Sequence, residues 1–151
     1  MNEDLKTLVT MIRHQALVSA RLRELARHLE KRADLHDLSK YRFDEFEGFV
    51  QINQVARKYP YGSKEYMESI KDNNVVDLHF GRNRHHPEYH ANEVNDMTLI
   101  DIIEMVCDWS GAAETYGTNT FRDSLGKQIK RFDLTSEQLY LIELIADFFN
   151  E

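Results

Sequence analysis

Four histidines, His79, His85, His86 and His90, fall between positions 79 and 90 of this 151-residue chain. Upstream stand His14 and the adjacent pair His36-Asp37; downstream, Asp108 interrupts the otherwise apolar run EMVCDWSGA. Neutral imidazole and carboxylate together suit a divalent transition metal, Mn, Fe, Co, Ni or Zn, with Mg also possible. A neighbouring His and Asp can both serve as ligands only if the backbone turns between them or one bridges to a second ion, so one or two ions fit. An unpaired carboxylate at 108 in an apolar helix is costly. Glu104 at i−4 and Asp101 at i−7 place three carboxylates on one face, where they repel unless a cation or solvent screens them. Each piece also has a plainer reading. His36-Asp37 can be a helix-end imidazole beside a solvated acid, HHPEYH a polar surface loop, and the acidic face simply the wet side of a helix.

Cations stand next to these groups. Lys40 follows Asp37 by three residues, and Arg82 and Arg84 flank the histidine cluster. In an acidic protein, such cations beside metal-ligand types fit the role of phosphate holders, or else are solvated surface charges. Other chemistries find less support. Neither a Gly-rich phosphate loop nor HExxH occurs. Cys107 lies mid-helix on an apolar stretch, and the expectation is a buried, inert thiol.

The elements that must carry these groups read as all α. Glycines number 6 and prolines 2, and no stretch sustains the alternation of a strand. A first helix from about Asp4 to Lys31 carries two offset apolar stripes, Leu5, Leu8, Val9, Ile12 and Ala16, then Val18, Leu22, Leu25 and Leu29. Two stripes predict a central helix packed from more than one side, with His14 near the edge of the second. After a short segment over 33–40, Phe43, Phe46, Phe49 and Val50 mark a second helix ending near the turn at 59–63. Ser63 can cap a third, with Tyr66, Met67, Ile70 and Leu78 facing inward. Pro87 can open a short turn. Thr98 and Asp101 can start a helix that reaches about Tyr116. Past Gly117 come an amphipathic piece over 121–132 and a last helix capped by Thr135 and Gln138.

Size and charge bound the function. At 17.8 kDa there is room for one domain with a sizeable core. Lys plus Arg is 19 against 26 Asp plus Glu, a net −7, which argues against stable nucleic-acid binding. One cysteine and no leader-like N-terminus make the cytoplasm the expected compartment. No apolar run is long enough for a membrane span. Apolar stripes on the last helix could pack internally or form a homodimer.

HDLSK at 36–40, HHPEY at 85–89 and EMVCDW at 104–109, after His14, resemble the HD superfamily of metal-dependent phosphohydrolases. The closer similarity is to a small uncharacterised family of bacteria and their viruses with HDxSKxxxxEF, NxHHxE and EMxxDW; here these are HDLSKYRFDEF, NRHHPE and EMVCDW. The resemblance covers roughly residues 10–118. It implies a single-domain HD-like bundle of about six or seven helices, with its core at about 4–118 and accessory helices at about 119–151. It implies His14, His36, Asp37 and Asp108 as ligands of one ion, and His79 with His85 or His86 for a second. His79 stands closer to His85-His86 than in related binuclear enzymes. No GYP follows HHPE, so cyclic-dinucleotide cleavage is not implied. Lys40 occupies the place where some nucleotidase relatives have an acid.

The expected function is hydrolysis of a phosphate ester, a nucleotide or similar small metabolite, by metal-activated water. Asp37 would orient that water and accept its proton. Lys40, Arg82 and Arg84 would neutralise phosphoryl charge. Glu88 and Glu104 would fix imidazole tautomers. Two alternatives share the residues: a di-iron oxygenase on the same scaffold, and a non-catalytic nucleotide or metal binder.

Overall fold

A computed structural model describes residues 2–60, 63–116 and 121–149. The chain is all α: no strand occurs among the described residues. Helices run Glu3–Leu35 (α1), Phe43–Ala56 (α2), Lys64–Ile70 (α3), Val75–Phe80 (α4), Leu99–Tyr116 (α5), Phe121–Phe132 (α6) and Ser136–Ala146 (α7). Short 3-10 turns lie at Leu38–Tyr41, Pro87–Tyr89, Glu93–Asp96 and Asp147–Phe149. Residues 61–62 of the expected turn, and Gly117, lie outside the described residues. No helix among those described is long and apolar enough to cross a membrane.

The chain groups into two compact units, Met1–Leu35 and His36–Glu151. The first is α1 itself, extended at both ends beyond the expected 4–31. Within that unit its two apolar stripes bury nothing, where the sequence predicts a helix packed from more than one side.

In the second unit the main apolar core joins α5, α6 and α7. Met105, Val106, Phe121, Leu125, Phe132, Ile142 and Ile145 meet there, and Trp109 stacks on Phe132 with ring centroids 6.1 Å apart. The helices expected to be accessory supply more than half of this core. The starts of α5 and α7 follow their capping residues. Thr98 N donates to Asp101 Oδ2 (3.0 Å) while Asp101 N donates to Thr98 Oγ1 (3.3 Å). Thr135 and Gln138 form a capping box.

The third expected helix is two. Asn73 divides it: its Oδ1 accepts from Val75 N at 3.0 Å, starting α4, and its Nδ2 donates to Gly48 O of α2 at 2.9 Å. Tyr66 is buried as expected, but Met67 is 55% exposed. On α2 the pattern is inverted. Phe43 and Phe46 are exposed, and the buried side chain is Glu45.

Gly48 sets how closely α2 and α4 approach. A Cβ built there would lie 2.5 Å from Val75 Cβ. Gly48→Ala gains about 1 kcal/mol of helix propensity, but the overlap with a β-branched neighbour outweighs it. The expected result is a net loss of about 1–3 kcal/mol, read from urea midpoints. Combining it with Val75→Ala should cost less than the sum of the single changes; strict additivity would show that the two positions do not touch.

Candidate metal centre

The site begins at the turn after α1. Asp37 adopts the left-handed conformation (φ 56°, ψ 14°), a region that Asp enters more readily than most residues. This supplies the backbone turn that lets His36 and Asp37 face a common point. The 3-10 turn Leu38–Tyr41 follows, closed by Lys40 N donating to Asp37 O at 2.9 Å. Further on, α4 contributes His79, the segment before Pro87 contributes His85 and His86, and α5 contributes Glu104 and Asp108.

Two overlapping groups could hold a metal ion: Asp37, His79, His85 and His86; and His36, Asp37, His85 and Asp108. In each, one ligand atom per residue lies within 4.8 Å of every other. Asp37 and His85 belong to both. Asp37 has two oxygens and could serve two ions, whereas His85 Nε2 has a single lone pair and could serve one.

Four buried polar atoms in this cluster have no hydrogen-bond partner: Asp37 Oδ1 and the Nε2 atoms of His79, His85 and His86. His79 Nε2 lies 3.1 Å and His85 Nε2 3.4 Å from Asp37 Oδ1. The opposite ring nitrogens are engaged by carboxylates. His79 Nδ1 lies 2.9 Å from Glu45 Oε2, and His85 Nδ1 lies 3.2 Å from Glu104 Oε1. A carboxylate beside Nδ1 places the ring proton there, which in the neutral ring leaves Nε2 as a bare acceptor. Bare imidazole nitrogens turned toward a carboxylate oxygen repel one another unless a cation lies between them. Burial makes that repulsion expensive. The residues therefore fit a metal ion, by the chemistry of the donor set and by their unpartnered atoms.

Electrostatics of the metal-free site run the same way. Burial raises the Asp37 carboxyl, but the close approach of His79 and then of Lys40 overcomes it and holds the group well below the usual range. Asp108 is likewise pushed up by burial and brought below its ordinary value by His36. Hydrogen bonds to Asp108 and then Glu104 raise His36 to about 10. His86 goes the other way, to about 3, through burial and then the neighbouring His85.

The remaining expected residues divide. Lys40 Nζ lies 2.5 Å from Asp37 Oδ2, beside the cluster. Arg82 binds Glu45 Oε1 (2.8 Å) and Asp44 Oδ2 (2.6 Å), so both guanidinium ends meet carboxylates. Arg84 pairs with buried Asp101 (3.0 Å) and lies over the Tyr89 ring. Asp101 thus leaves the expected acidic face to hold Arg84 and the start of α5, while Glu104 and Asp108 face the imidazoles. Glu104 Oε1 lies 3.0 Å from His36 Nδ1. Glu88 instead accepts from Arg131 of α6. His14 lies on α1, in the first unit, and belongs to neither group. His90 Nε2 lies 2.9 Å from Arg84 O. Cys107, expected to be buried, is exposed on α5, and its thiol is pushed up by partial burial and then by Glu104. A raised thiol is a poor nucleophile.

Glu45 is the residue beside the cluster that sequence reasoning missed. It is fully buried, and around it gather Arg82, His79 and Ser39, whose Oγ donates to Glu45 Oε2 at 2.8 Å. Two acids, Asp44 and Glu45, stand between Phe43 and Phe46, and nothing local tells which of them is buried.

No curated protein and no solved structure matches this chain. A family model described as a family of unknown function (DUF5662) matches residues 3–150. That span takes in both units and every residue of the cluster, and the chain therefore belongs to the DUF5662 family.

Proposed function

We propose that the protein is a metal-dependent phosphohydrolase acting on a nucleotide or similar small phosphate ester. The observation that carries this reading is the convergence of Asp37 Oδ1 with the Nε2 atoms of His79, His85 and His86, all buried and all without hydrogen-bond partners. The resemblance of HDLSK, HHPEY and EMVCDW to the HD phosphohydrolases gives the reaction class. When bound, a divalent ion lowers the pKa of a water molecule and polarises a phosphoryl oxygen.

The chain's own residues supply the rest. Asp37 orients the attacking water, a role that needs an ionised carboxylate and not a strong base, and Lys40 beside it keeps that carboxylate ionised. Lys40 can turn its partly exposed ammonium from Asp37 Oδ2 toward a phosphoryl oxygen as charge builds there. Arg84 is 45% exposed at its side chain and can reach an anion without leaving Asp101. Arg82, held by two carboxylates, serves this site by keeping Glu45 ionised.

Elemental analysis of the purified protein beside His36→Ala tests the reading, followed by phosphate release from a nucleotide panel with Mn or Co. The expected result is one or two equivalents of a transition metal in the parent, a loss in the variant, and metal-dependent release of phosphate. Tight metal binding without turnover of any ester would make the protein a binder. A coloured protein with two irons per chain would favour the oxygenase. Absence of metal in both forms, even with Mn or Co in excess, would overturn the reading.

A further inference from the structure

Three imidazoles of the cluster are oriented by two acids, Glu45 buried and Glu104 partly buried, and the division between them is uneven. Glu104 Oε1 lies 3.0 Å from His36 Nδ1 and 3.2 Å from His85 Nδ1, so one oxygen serves two rings. Glu45 serves His79 alone, at 2.9 Å. Resting on the metal-site reading above, we infer that Glu45 and Glu104 are separate positioning residues: Glu45 sets the His79 tautomer, and Glu104 sets His36 and His85 together.

The surroundings of Glu45 are built for one task. Its side chain is fully buried. Oε1 takes Arg82 Nη1 at 2.8 Å, and Oε2 takes Ser39 Oγ at 2.8 Å. The carboxylate is thus ionised and fixed, and its remaining capacity is directed at His79 Nδ1. Asn83 could compete, since its Nδ2 lies 3.0 Å from the same nitrogen. Asn83 Nδ2 instead has two better acceptors, Ser39 Oγ and His79 O, both at 2.8 Å. The Nδ1 proton therefore points to Glu45 and Nε2 points to Asp37. Ser39, Glu45 and Asn83 all stand in the HDLSKYRFDEF and NRHHPE segments, and this network gives each of them a part. Phe49 closes the other side, its ring edge-on to His79 with centroids 5.4 Å apart.

Glu104 sits one turn before Asp108 on α5, and its two rings are themselves in contact, with centroids 4.6 Å apart. His36 belongs to one ligand group and His85 to both. Loss of Glu104 therefore disturbs the group containing His36 and whichever ion takes His85 Nε2, whereas loss of Glu45 disturbs only the group containing His79.

Long-range proton–nitrogen NMR of the histidine side chains, on metal-free full-length protein at pH 8, reads the tautomers directly. In the parent, His79 and His85 should both carry the proton on Nδ1. Glu45→Gln should convert His79 to a mixture and leave His85 unchanged; Glu104→Gln should do the reverse. If Glu45→Gln fails to fold because Arg82 loses its buried acceptor, Glu45→Gln with Arg82→Gln restores a neutral pair and gives the same readout. Either acid replaced without change at its own ring, or with an equal change at both, would overturn the assignment. Cobalt titration separates this from the metal-site reading. Outer-sphere carboxylates of this kind are worth about 10–100-fold in affinity, expected in Glu104→Gln for the His36-containing group and for the equivalent that takes His85, and in Glu45→Gln for the His79-containing group alone. Correct tautomers in a protein that binds no cobalt would sink the metal-site reading and leave the division of labour standing.

Discussion

Asp37→Asn should abolish metal uptake and phosphate-ester hydrolysis while leaving the metal-free fold intact. Asp37 is the only carboxylate common to both ligand groups. Asparagine keeps the size of the side chain and tolerates the left-handed backbone at φ 56°. The substitution therefore tests charge and ligation, not folding. Removal of an outer-sphere acid costs about 10–100-fold in metal affinity; removal of a ligand shared by two groups should exceed the upper end of that range. Activity should fall with it to background.

Thermal unfolding gives a readout that does not depend on finding the substrate. An ion present at about 100 times its Kd stabilises a protein by about 2.7 kcal/mol. For a chain of this size that is a rise in Tm of about 5–10 °C. With affinity reduced a hundredfold, less than about 0.5 kcal/mol remains by the same relation. The parent should thus gain stability on adding Mn or Co, and Asp37→Asn should gain almost none. Asp101→Asn is the matched control: another buried acid on α5, but one that serves Arg84 and the helix start. It should lower Tm and keep the metal-dependent rise. An equal metal response in the parent and Asp37→Asn would place the ion elsewhere.

Asp108 was legible in the sequence because a carboxylate interrupting an apolar helix needs a reason to be there; the histidines and Asp37 were legible through their crowding and the resemblance of HDLSK and HHPEY. His36, Asp37, His79, His85, His86 and Asp108 come together in one unit, as two groups that share Asp37 and His85. The left-handed turn at Asp37 was legible only as a requirement, since adjacent ligands need it, and not as a pattern. Glu45 was hidden for a physical reason. Its helix looks amphipathic through Phe43, Phe46 and Phe49, and hydrophobicity assigns the inside to the rings. The buried position instead goes to the acid, because Arg82, Ser39 and His79 arrive from distant parts of the chain to satisfy it. No local rule contains those partners. The roles of Arg82 and Arg84 were obscured in the same way, since a cation near a histidine cluster looks alike whether its partner is a substrate or a carboxylate of the fold. The division of residues 64–80 into α3 and α4 rests on Asn73 bonding to Gly48 of another helix, again beyond any local signal.

Metal-free protein should show a stability maximum near pH 6.5 and lose stability on both sides. On the alkaline side the cause is His36, held at about 10 in the folded chain by Asp108 and then Glu104, against 6.5 when unfolded. A raised folded pKa means that its contribution is complete below 6.5 and is lost as pH climbs toward 10. One proton sets an upper slope of about 1.4 kcal/mol per pH unit, and solvent screening at this partly exposed ring reduces it. On the acid side His86, lowered to about 3 by burial and then His85, stays neutral while the unfolded chain takes up a proton below 6.5. Asp37, Glu45 and Asp108 steepen that limb further down, since their depressed carboxyls lose their contribution as pH falls below the ordinary carboxylate range. His36→Gln should therefore flatten the alkaline limb, and His86→Gln the upper part of the acid limb. A ligating ion must displace the His36 proton, so cobalt affinity should rise by up to about tenfold per pH unit between 6.5 and 10. The loaded protein should then show no alkaline loss over that interval. Urea midpoints across pH 4–10, with and without cobalt, check each limb; an alkaline limb that survives both His36→Gln and metal loading would remove His36 from the site.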